Sequence, residues 1–357
     1  MNKTIIVAAD VHNKSTLIKC AVDSGKPEKS TWESNRVGRG SMIAAIKNKA
    51  KECSASRIVL AYEASGCGYQ LHDELEDAGI ECFVLPPTHL VRSCKQEKNK
   101  TDEKDADLIL GVLRGHLLAG NDLPSVHVPS PEQRDDCEIT RHRVDLVEKQ
   151  TGLKAQIQSL LARHRAERPS DMGKGWTRKQ RAWLDGLRAK GLPTHAALVL
   201  DSLLRQLDLL VSEIKAADKL IKALSKEERF KNKVEALTKL KGVGLLSAMV
   251  FLTEIGDPTR FQNRRQVGSY IGLAPSSHES GDVNDRKGHI TKMGSRWIRR
   301  ALCQCVWARI RTDPKEREVY DRIKKKNPKT SKIAIVAIMR RLAVRMWHAA
   351  VDASQKK

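Results

Sequence analysis

The stretch Thr4-Ile5-Ile6-Val7-Ala8-Ala9-Asp10 is a short apolar run that ends in a carboxylate. A continuous apolar run of this length is typical of a strand that is buried on both faces of a sheet. Residues 57–62, Arg-Ile-Val-Leu-Ala-Tyr, repeat the pattern and end at Glu63. We therefore predict two core strands, each followed directly by an acidic residue.

The segments around these two strands alternate between strand and helix patterns. Residues 15–22, 31–37 and 80–85 predict further strands, and residues 41–53 have helical periodicity. Strands that alternate with helices indicate an α/β fold with a mainly parallel or mixed sheet. We predict such a domain over residues 1–125.

A second acidic stretch, Lys100-Thr101-Asp102-Glu103-Lys104-Asp105-Ala106-Asp107, opens an amphipathic helix. Asp102 and Asp105 are three residues apart, so they share one face of that helix. An acid-rich helix start is the alternative explanation, because carboxylates in the first turn interact favourably with the helix dipole. Two adjacent carboxylates repel each other, however, unless a cation lies between them.

These acidic residues are predicted to meet at one edge of the sheet. Asp10 and Glu63 each lie at the carboxyl end of a core strand, which is where open α/β sheets bind ligands. Asp102 and Asp105 follow the next strand along the chain. Carboxylate oxygens suit Mg²⁺, and two such ions can stabilise both the attacking and the leaving oxygen in phosphodiester cleavage.

The overall composition favours a polyanionic partner. The chain has 357 residues, a formal net charge of +22, 40% hydrophobic residues and 30% charged residues. It therefore has the composition of a soluble folded protein, with nucleic acid as the first candidate partner and an acidic membrane surface as the second. Aromatic residues make up only 4%, so contacts from Lys and Arg to phosphates are favoured over base stacking.

The cysteines and the apolar C-terminal run exclude two other classes. None of the eight cysteines forms a Cys-x-x-Cys pair, so a structural zinc site is not predicted. We predict instead free thiols in a reducing cytoplasm. The apolar run from Ile333 to Val351 is interrupted by Arg340, Arg341 and Arg345. It predicts a packed amphipathic helix rather than a membrane span.

Residues 126–235 predict a region of long helices. A heptad seam is formed by Leu203, Leu207, Leu210, Ile214, Ala217, Ile221 and Leu224. Either an antiparallel helical hairpin or an intermolecular coiled coil would bury this seam. The basic segment between Arg163 and Lys190 is interpreted as a nucleic-acid arm, with a solvated hairpin tip as the alternative.

Residues 236–357 predict a third, mainly α domain. The turn Gly242-Val243-Gly244 opens a helix, and its free backbone amides are suited to hold a phosphate, as in a helix-hairpin-helix. A plain glycine-bearing turn between helices is equally compatible. Downstream, a polar loop that contains Ser280 precedes four cations that form a candidate anion pocket: Lys292, Arg296, Arg299 and Arg300.

An ordered set of motifs covers nearly the whole chain. The N-terminal motifs are Ala-Ala-Asp10-Val-His, Tyr-Glu63-Ala-Ser-Gly and Lys100-Thr-Asp102-x-x-Asp105-Ala. The C-terminal motifs are Leu-Lys-Gly242-Val-Gly244, Ile-Gly-Asp-Pro-x-Arg-Phe at 255–261, Tyr-Ile-Gly-Leu-Ala-Pro at 270–275, Ser280-Gly281 and Gly-His-Ile-Thr-Lys-Met-Gly at 288–294. Together they resemble the DEDD-type transposases of insertion-sequence family one-ten, relatives of the Piv and MooV DNA invertases.

The resemblance implies a RuvC-like, RNase H-type N-terminal domain, a helical connecting region and a C-terminal transposase domain. Carried over by position, Asp10, Glu63, Asp102 and Asp105 would be catalytic and bind Mg²⁺. Ser280 would attack a DNA phosphodiester and form a transient phosphoserine link. The spacing from Ser280-Gly281 to Gly288 is one residue longer than in some relatives, so the neighbouring serines Ser276 and Ser277 remain alternatives.

The resemblance also implies partners. They are donor and target DNA and a noncoding bridge RNA that guides the choice of sites, within a homo-oligomer (dimer or tetramer) in the bacterial nucleoid. Lys100, Gly242, Gly244 and the four cations above are the predicted nucleic-acid contacts. Two other functions stay open: a Mg²⁺-dependent RuvC-like nuclease or Holliday-junction resolvase, and a non-catalytic nucleic-acid-binding scaffold.

Overall fold

The chain forms two compact units, Met1–Val128 and Pro129–Lys357. The computed structural model describes residues 3–89, 101–173, 175–277, 287–326, 328 and 331–355. Each unit has its own hydrophobic core, so the two are described separately.

The first unit is built on a five-stranded mixed sheet with the order β3-β2-β1-β4-β5. The strands are β1 (Lys3–Val11), β2 (Ser15–Val22), β3 (Glu28–Glu33), β4 (Ala55–Glu63) and β5 (Glu81–Leu85). β4 is parallel to both β1 and β5, whereas β2 is antiparallel to β1 and β3. The predicted α/β fold with a mixed sheet is confirmed for this unit.

Helices cover both faces of this sheet. The three described helices are α1 (Arg36–Glu52), α2 (Gln70–Asp77) and α3 (Asp102–Ala119). Ile5 and Val7 of β1 join the core that contains residues of α1 and α2, while Ile6 and Ala8 join the core that contains residues of α3. Because successive side chains of a strand point to opposite faces, burial on both faces requires the continuous apolar run seen in the sequence.

The third strand differs from its prediction. Residues 31–37 were expected to form it, but β3 is Glu28–Glu33 and helix α1 begins at Arg36. The side chain of Asn35 caps the helix, since its Oδ1 accepts a hydrogen bond of 2.7 Å from the backbone N of Gly38. Val37 therefore lies in a helix, where its side chain is exposed.

The second unit is mainly helical, as predicted for the C-terminal region. Its described helices are α4 (Pro131–Arg163), α5 (Arg178–Lys190), α6 (Thr194–Leu224), α7 (Glu228–Thr238), α8 (Leu245–Ile255), α9 (Arg264–Tyr270), α10 (Arg296–Thr312), α11 (Pro314–Lys326) and α12 (Ser331–Gln355). Strands β6 (Pro275–Ser277) and β7 (Lys287–Ile290) form an antiparallel pair. The boundary predicted near residue 236 falls within α7, and the three-domain division stays a prediction.

Helices α4 and α6 pack against each other in antiparallel directions. Leu160, near the end of α4, shares a core with Leu200, near the start of α6. At the opposite ends, Arg143 Nε lies 2.8 Å from Asp218 Oδ1. The heptad-seam residues of α6 are buried or half-buried. This agrees with the helical hairpin, one of the two predicted arrangements, whereas the coiled-coil geometry stays a prediction.

The last helix, α12, is amphipathic. It buries Ile338, Leu342 and Met346 in the largest core of the second unit, while Arg341 and Arg345 are each 43% exposed. Among the described residues, no helix combines the length and the apolar character that crossing a bilayer requires. The cysteines within the described ranges are all free thiols.

Candidate functional site

Two parallel strands bring Asp10 and Glu63 to neighbouring positions at one edge of the sheet. Ala9 of β1 is the register partner of Tyr62 of β4, so the next residue on each strand is one of the two acids. Ala8 and Ala61 belong to the core on the α3 side. Because side chains alternate along a strand, Asp10 and Glu63 are directed to that same side.

Helix α3 brings two further acids to this side of the sheet. The helix begins at Asp102, and the Thr101 Oγ1 caps it by accepting a hydrogen bond of 3.4 Å from Lys104 N. Ala106 and Ile109 anchor the helix in the core beside β1. In this first turn Asp102 is exposed, whereas Asp105 is only 6% exposed.

His12 joins the cluster, although it was not among the residues predicted from the sequence. Its Nε2 lies 3.2 Å from Asp10 Oδ2 and 3.5 Å from Asp102 Oδ1. Ligand atoms of these three residues all lie within 4.8 Å of one another, a separation at which they can share one metal ion. The available signal was the spacing Asp10-Val11-His12, since residues two apart on a strand share a face.

The pKa of Asp10 is raised above its ordinary value in the folded protein. Burial raises the pKa of Asp10, and the carboxylates of Asp102 and Asp105 raise it further, while His12 acts in the opposite direction. A divalent cation relieves this type of repulsion, and carboxylate oxygens are its preferred ligands. The donor set of this chain therefore fits a divalent metal ion.

The other acids at the start of α3 have a different environment. Lys19 of β2 reaches both Asp107 (Nζ to Oδ1, 2.5 Å) and Glu103 (Nζ to Oε1, 3.3 Å). Lys29 of β3 donates a hydrogen bond of 2.8 Å to Glu103 Oε2. Hydrogen bonds from Lys29 and Lys19 lower the pKa of Glu103. Lysines thus neutralise one side of the acid-rich turn, and Asp102 faces the strand ends on the other.

In the second unit, the two glycines of the predicted phosphate-binding turn have different roles in packing. Gly242 has φ +84°, and a Cβ there would lie 2.7 Å from Cys305 O and 3.0 Å from Arg309 N of α10. Gly244 is exposed, caps α8 with extended backbone, and has open space where a Cβ would lie. Gly242 therefore permits close packing of the turn on α10, while Gly244 leaves the helix start accessible.

The predicted serine loop lies between strands β6 and β7. Ser280 falls outside the described residues, as does Lys100 among the predicted nucleic-acid contacts. Ser276 Oγ donates a hydrogen bond of 3.1 Å to the carbonyl oxygen of His289 across the strand pair. Ser277 contributes its backbone to β6.

The four predicted cations differ in how they are held. Lys292 is exposed in a turn with φ +57°. Arg299 Nη1 donates hydrogen bonds to the carbonyl oxygens of Ile271 (3.0 Å) and Gly294 (2.8 Å), and its burial lowers its pKa. Arg299 is therefore committed to holding this turn.

The remaining two cations lie in the first turns of α10 and face acids of α4. An Arg296 Nη2 lies 3.6 Å from Asp145 Oδ1, and Arg300 forms an ion pair with Glu148. The Arg296 guanidinium also lies 4.7 Å from the ring centre of Trp297 and is 65% exposed. Of the three arginines, Arg296 is thus the most accessible to an external anion.

Family models match the chain in two segments. Residues 7–165 match the model of the DEDD transposases of the IS110 group, and residues 234–321 match a model described as the transposase IS116/IS110/IS902 family. The first segment contains the four predicted acids, and the second contains the glycine turn, the predicted serine loop and the four predicted cations. A DEDD transposase domain implies a RuvC-like fold, with which the mixed sheet agrees, and suggests the use of divalent metal.

Relatives with curated names are similar over long stretches. Transposase y4qE of Sinorhizobium fredii is 27% identical over 74% of this chain, an alignment that spans 62% of that relative. Transposase y4rJ of the same organism is 29% identical over 85% of this chain and 80% of its own length. The pilin gene-inverting protein of Moraxella bovis is 32% identical over 31% of this chain and 34% of its own length. The chain therefore belongs to the IS110 family of DEDD transposases, a family of enzymes that rearrange DNA.

Proposed function

We propose that this protein is the transposase of a bacterial insertion sequence and that it cuts and rejoins DNA by means of a serine nucleophile and a metal-binding acid cluster. The observation that carries the proposal is the convergence of Asp10, His12 and Asp102 within 4.8 Å at the carboxyl end of β1. A cluster of this kind on a RuvC-like sheet suits phosphodiester chemistry.

Asp10, Glu63, Asp102 and Asp105 are the proposed holders of Mg²⁺. When bound, the metal supplies positive charge to the phosphate oxygens at which negative charge develops. Three of these acids are linked by electrostatics, because Asp102 and Asp105 both raise the pKa of Asp10. Glu63 belongs to the set by its position beside Asp10 in the strand register.

Ser280 is the proposed nucleophile. Its Oγ forms a bond to the phosphorus of a DNA phosphodiester, loses its proton, and displaces one deoxyribose oxygen, which leaves as a hydroxyl. The phosphoserine ester that results keeps the energy of the original bond, so a DNA hydroxyl can reverse the step and reseal a strand without ATP. This fits the absence of a Gly-x-x-x-x-Gly-Lys phosphate-binding motif in the sequence.

The positive charge of the chain supports nucleic-acid partners. A net charge of +22 favours binding to donor and target DNA and to a guide RNA of the bridge type. Lys100, Lys292, Arg296, Arg299 and Arg300 are the proposed charged contacts. The amides that follow Gly242 and Gly244 are proposed to meet phosphate at the start of α8. We also propose that the working form is a homo-oligomer.

A trapping experiment with suicide DNA substrates and Mg²⁺ tests the proposal. We expect a covalent protein–DNA adduct that survives denaturation, and its loss in Ser280→Ala and in Asp102→Asn. The matched controls are Ser276→Ala, Ser277→Ala and Glu103→Gln, which should retain the adduct.

Four outcomes would overturn the proposal or one of its parts. Nicked DNA without any adduct would mean that water is the nucleophile and that the protein is a nuclease or resolvase. Retention of the adduct in Ser280→Ala together with its loss in Ser276→Ala or Ser277→Ala would move the nucleophile to that serine. DNA binding with neither nicks nor adducts would favour the scaffold function. Transposition that needs no noncoding RNA would refute the proposed guidance by RNA but not the proposed chemistry.

A further inference from the structure

Helix α10 exposes the ring of Trp307 to solvent. Trp307 is 46% exposed, whereas every other Trp, Tyr and Phe, all of which lie within the described ranges, is buried or half-buried. A tryptophan ring is large and mostly apolar, so its exposure forgoes much of the free energy that burial would contribute. Because isolated exposed apolar side chains are common, the groups around Trp307 decide whether its exposure serves a ligand.

The Trp307 ring packs against Tyr320 of α11. The two ring centres are 6.3 Å apart with planes tilted by 57°, and Tyr320 is only 6% exposed. Two cations lie near the same tyrosine ring, since Arg317 Cζ and Lys324 Nζ are each 5.8 Å from its centre. They precede Tyr320 by three residues and follow it by four, so all three share one face of α11. Trp307, Arg317 and Lys324 are therefore grouped around one buried ring.

A third cation adjoins Trp307 on its own helix. Arg311 follows Trp307 by four residues, so the two side chains are neighbours on one face of α10, and Arg311 is exposed. The whole of α10 contains five arginines and no Asp or Glu. We call this group the aromatic–basic cluster; its members are Trp307, Arg311, Arg317, Tyr320 and Lys324.

Nearby acids do not cancel the charge of the cluster. Asp321 Oδ2 lies 2.9 Å from Arg317 Nε, so one of the three cations is neutralised. In the part of the chain that the structure describes, no acid lies within ion-pairing distance of Arg311 or Lys324. Glu318 is exposed, but it directly follows Arg317 and so points from another face of α11. The cluster therefore keeps an excess of positive charge beside an exposed aromatic ring.

An exposed ring flanked by cations suits an unpaired nucleotide. A free base stacks on the ring, and the cations bind the phosphates on either side of it. A base inside a duplex is already stacked on both faces, so a duplex offers phosphates to the cations but no free face to the ring. The low aromatic content of 4% argues against a series of stacking sites and is compatible with one.

We propose that the aromatic–basic cluster is a binding site for an unpaired nucleotide of a nucleic-acid strand, with its base on the Trp307 ring and its flanking phosphates at Arg311, Arg317 and Lys324. In assigning nucleic acid as the occupant we rest on the proposed function above, but not on its strand-transfer chemistry. An RNA loop and an opened DNA strand present the same base face and phosphates. The excess of cations around a single ring favours such a strand over an apolar protein surface.

Fluorescence anisotropy of the full chain with short labelled single strands tests the site. Two strands of equal length are compared, one with bases and one abasic, which carry the same number of phosphates. The unaltered protein should prefer the strand with bases by about 5- to 100-fold, the range that stacking of one base provides. Trp307→Ala should abolish this preference, and Trp307→Phe should keep most of it because a ring remains.

The matched control for the lost apolar side chain is Leu118→Ala on α3. Leu118 is 51% exposed, and its substitution should leave the preference for bases unchanged. With a blunt duplex as the ligand, Trp307→Ala should change the affinity by less than about two-fold, since a duplex has no free base face. Circular dichroism establishes that each variant is folded.

Salt titrations separate the cations from the ring. Arg311→Ala and Lys324→Ala should each weaken binding to both single strands, and each should reduce the slope of log K against log salt by about 0.7, the value for one phosphate of a single strand. Trp307→Ala should leave the slope unchanged. Parallel titrations with RNA and DNA strands of the same sequence identify which of the two the site prefers.

Three results would overturn the inference. The first is equal affinity of the unaltered protein for the strands with and without bases. The second is a Trp307→Ala variant that loses as much affinity for the duplex as for the single strand. The third is a Trp307→Ala variant that binds the single strand normally but self-associates less, which would make the ring a contact between protein chains.

The proposed chemistry can fail separately from this site. Ser280→Ala should bind the single strand with unchanged affinity and should keep the preference for bases. Single-strand binding of the expected kind without any covalent adduct would support the site and refute the serine chemistry. A covalent adduct formed by a protein with no preference for bases would support the chemistry and refute the site.

Discussion

His12 Nε2 lies 3.5 Å from Asp102 Oδ1, so an imidazole at the end of β1 reaches the first turn of α3. The two residues are far apart in the sequence and are brought together because Ala106 and Ile109 of α3 pack beside β1. The core of the first unit therefore fixes the geometry of the acid cluster. Changes at the cluster should alter metal binding and chemistry with little effect on the fold.

The first prediction concerns metal affinity. Asp102→Asn should weaken Mn²⁺ binding by at least about ten-fold, as measured by electron paramagnetic resonance. It should also lower the rate of strand cleavage by about 100-fold or more, because a carboxylate that holds the metal contributes several kcal/mol to stabilising the transition state. Glu103→Gln changes the next residue of the same turn, whose carboxylate is paired with Lys29. Its Mn²⁺ affinity should match that of the unaltered protein, and equal losses in both variants would contradict the metal assignment.

The second prediction concerns stability without metal. The pKa of Asp10 is raised in the folded protein, so its charged form costs stability at pH values above that raised pKa. The cost disappears as the pH falls and the carboxyl takes up a proton. In a chelating buffer at neutral pH, Asp10→Asn should therefore melt a few degrees above the unaltered protein, and the difference should shrink in acid.

Asp257 serves as the control, because its pKa is shifted in the opposite direction to that of Asp10. Burial alone would raise its pKa, but hydrogen bonds from the Thr259 backbone N and Oγ1 lower it overall. Its charged form therefore contributes stability at neutral pH that is lost as the pH falls. Asp257→Asn should melt lower than the unaltered protein at neutral pH. If both substitutions shift the melting temperature in the same direction, the electrostatic account of Asp10 is wrong.

The third prediction concerns the glycine turn. Gly242→Ala forces a residue with a side chain into φ +84° and sets its Cβ 2.7 Å from Cys305 O. We expect a loss of about 2 to 4 kcal/mol in the free energy of unfolding, measured with denaturant. Gly152→Ala lies in the exposed middle of α4 with open space around it, and it should instead stabilise by about 0.5 to 1 kcal/mol. A neutral Gly242→Ala would contradict the close packing on α10.

The fourth prediction separates two neighbouring arginines. Arg296→Ala should weaken DNA binding and reduce the slope of log K against log salt by about one, because it would remove one of the proposed phosphate contacts. Arg299→Ala should mainly lower the melting temperature, because Arg299 holds the carbonyl oxygens of Ile271 and Gly294. Titrations at several salt concentrations, together with thermal melts, distinguish the two effects. A stable Arg299→Ala variant would show that those hydrogen bonds matter little.

The sequence predicted the sheet because its central strands must be apolar on both faces, which leaves a pattern that can be recognised without the fold. It also predicted that Asp10 and Glu63 would lie at one edge, since both follow such strands. It predicted the bounds of β3 less well, because that strand is exposed at the edge of the sheet. The start of α1 was also missed, because it depends on a local contact, the cap formed by the Asn35 side chain.

Contacts between distant residues were harder to predict. His12 was not assigned a role, because a histidine two residues after an acid acquires meaning only once α3 brings Asp102 to it. The pairing of Glu103 and Asp107 with Lys19 and Lys29 likewise depends on how α3 lies across β2 and β3. The closeness of Gly242 to α10 follows from helix packing, which no local pattern specifies.

The central claim is that a serine of this chain becomes bonded to DNA phosphate with the help of the acid cluster. The most direct measurement is peptide mapping by mass spectrometry of the adduct that forms on a suicide DNA substrate, after nuclease digestion. We predict a single modified peptide with the phosphate remnant on Ser280, formed by the unaltered protein and absent in Asp102→Asn. A remnant on any other residue, or an adduct of equal yield in Asp102→Asn, would contradict the account.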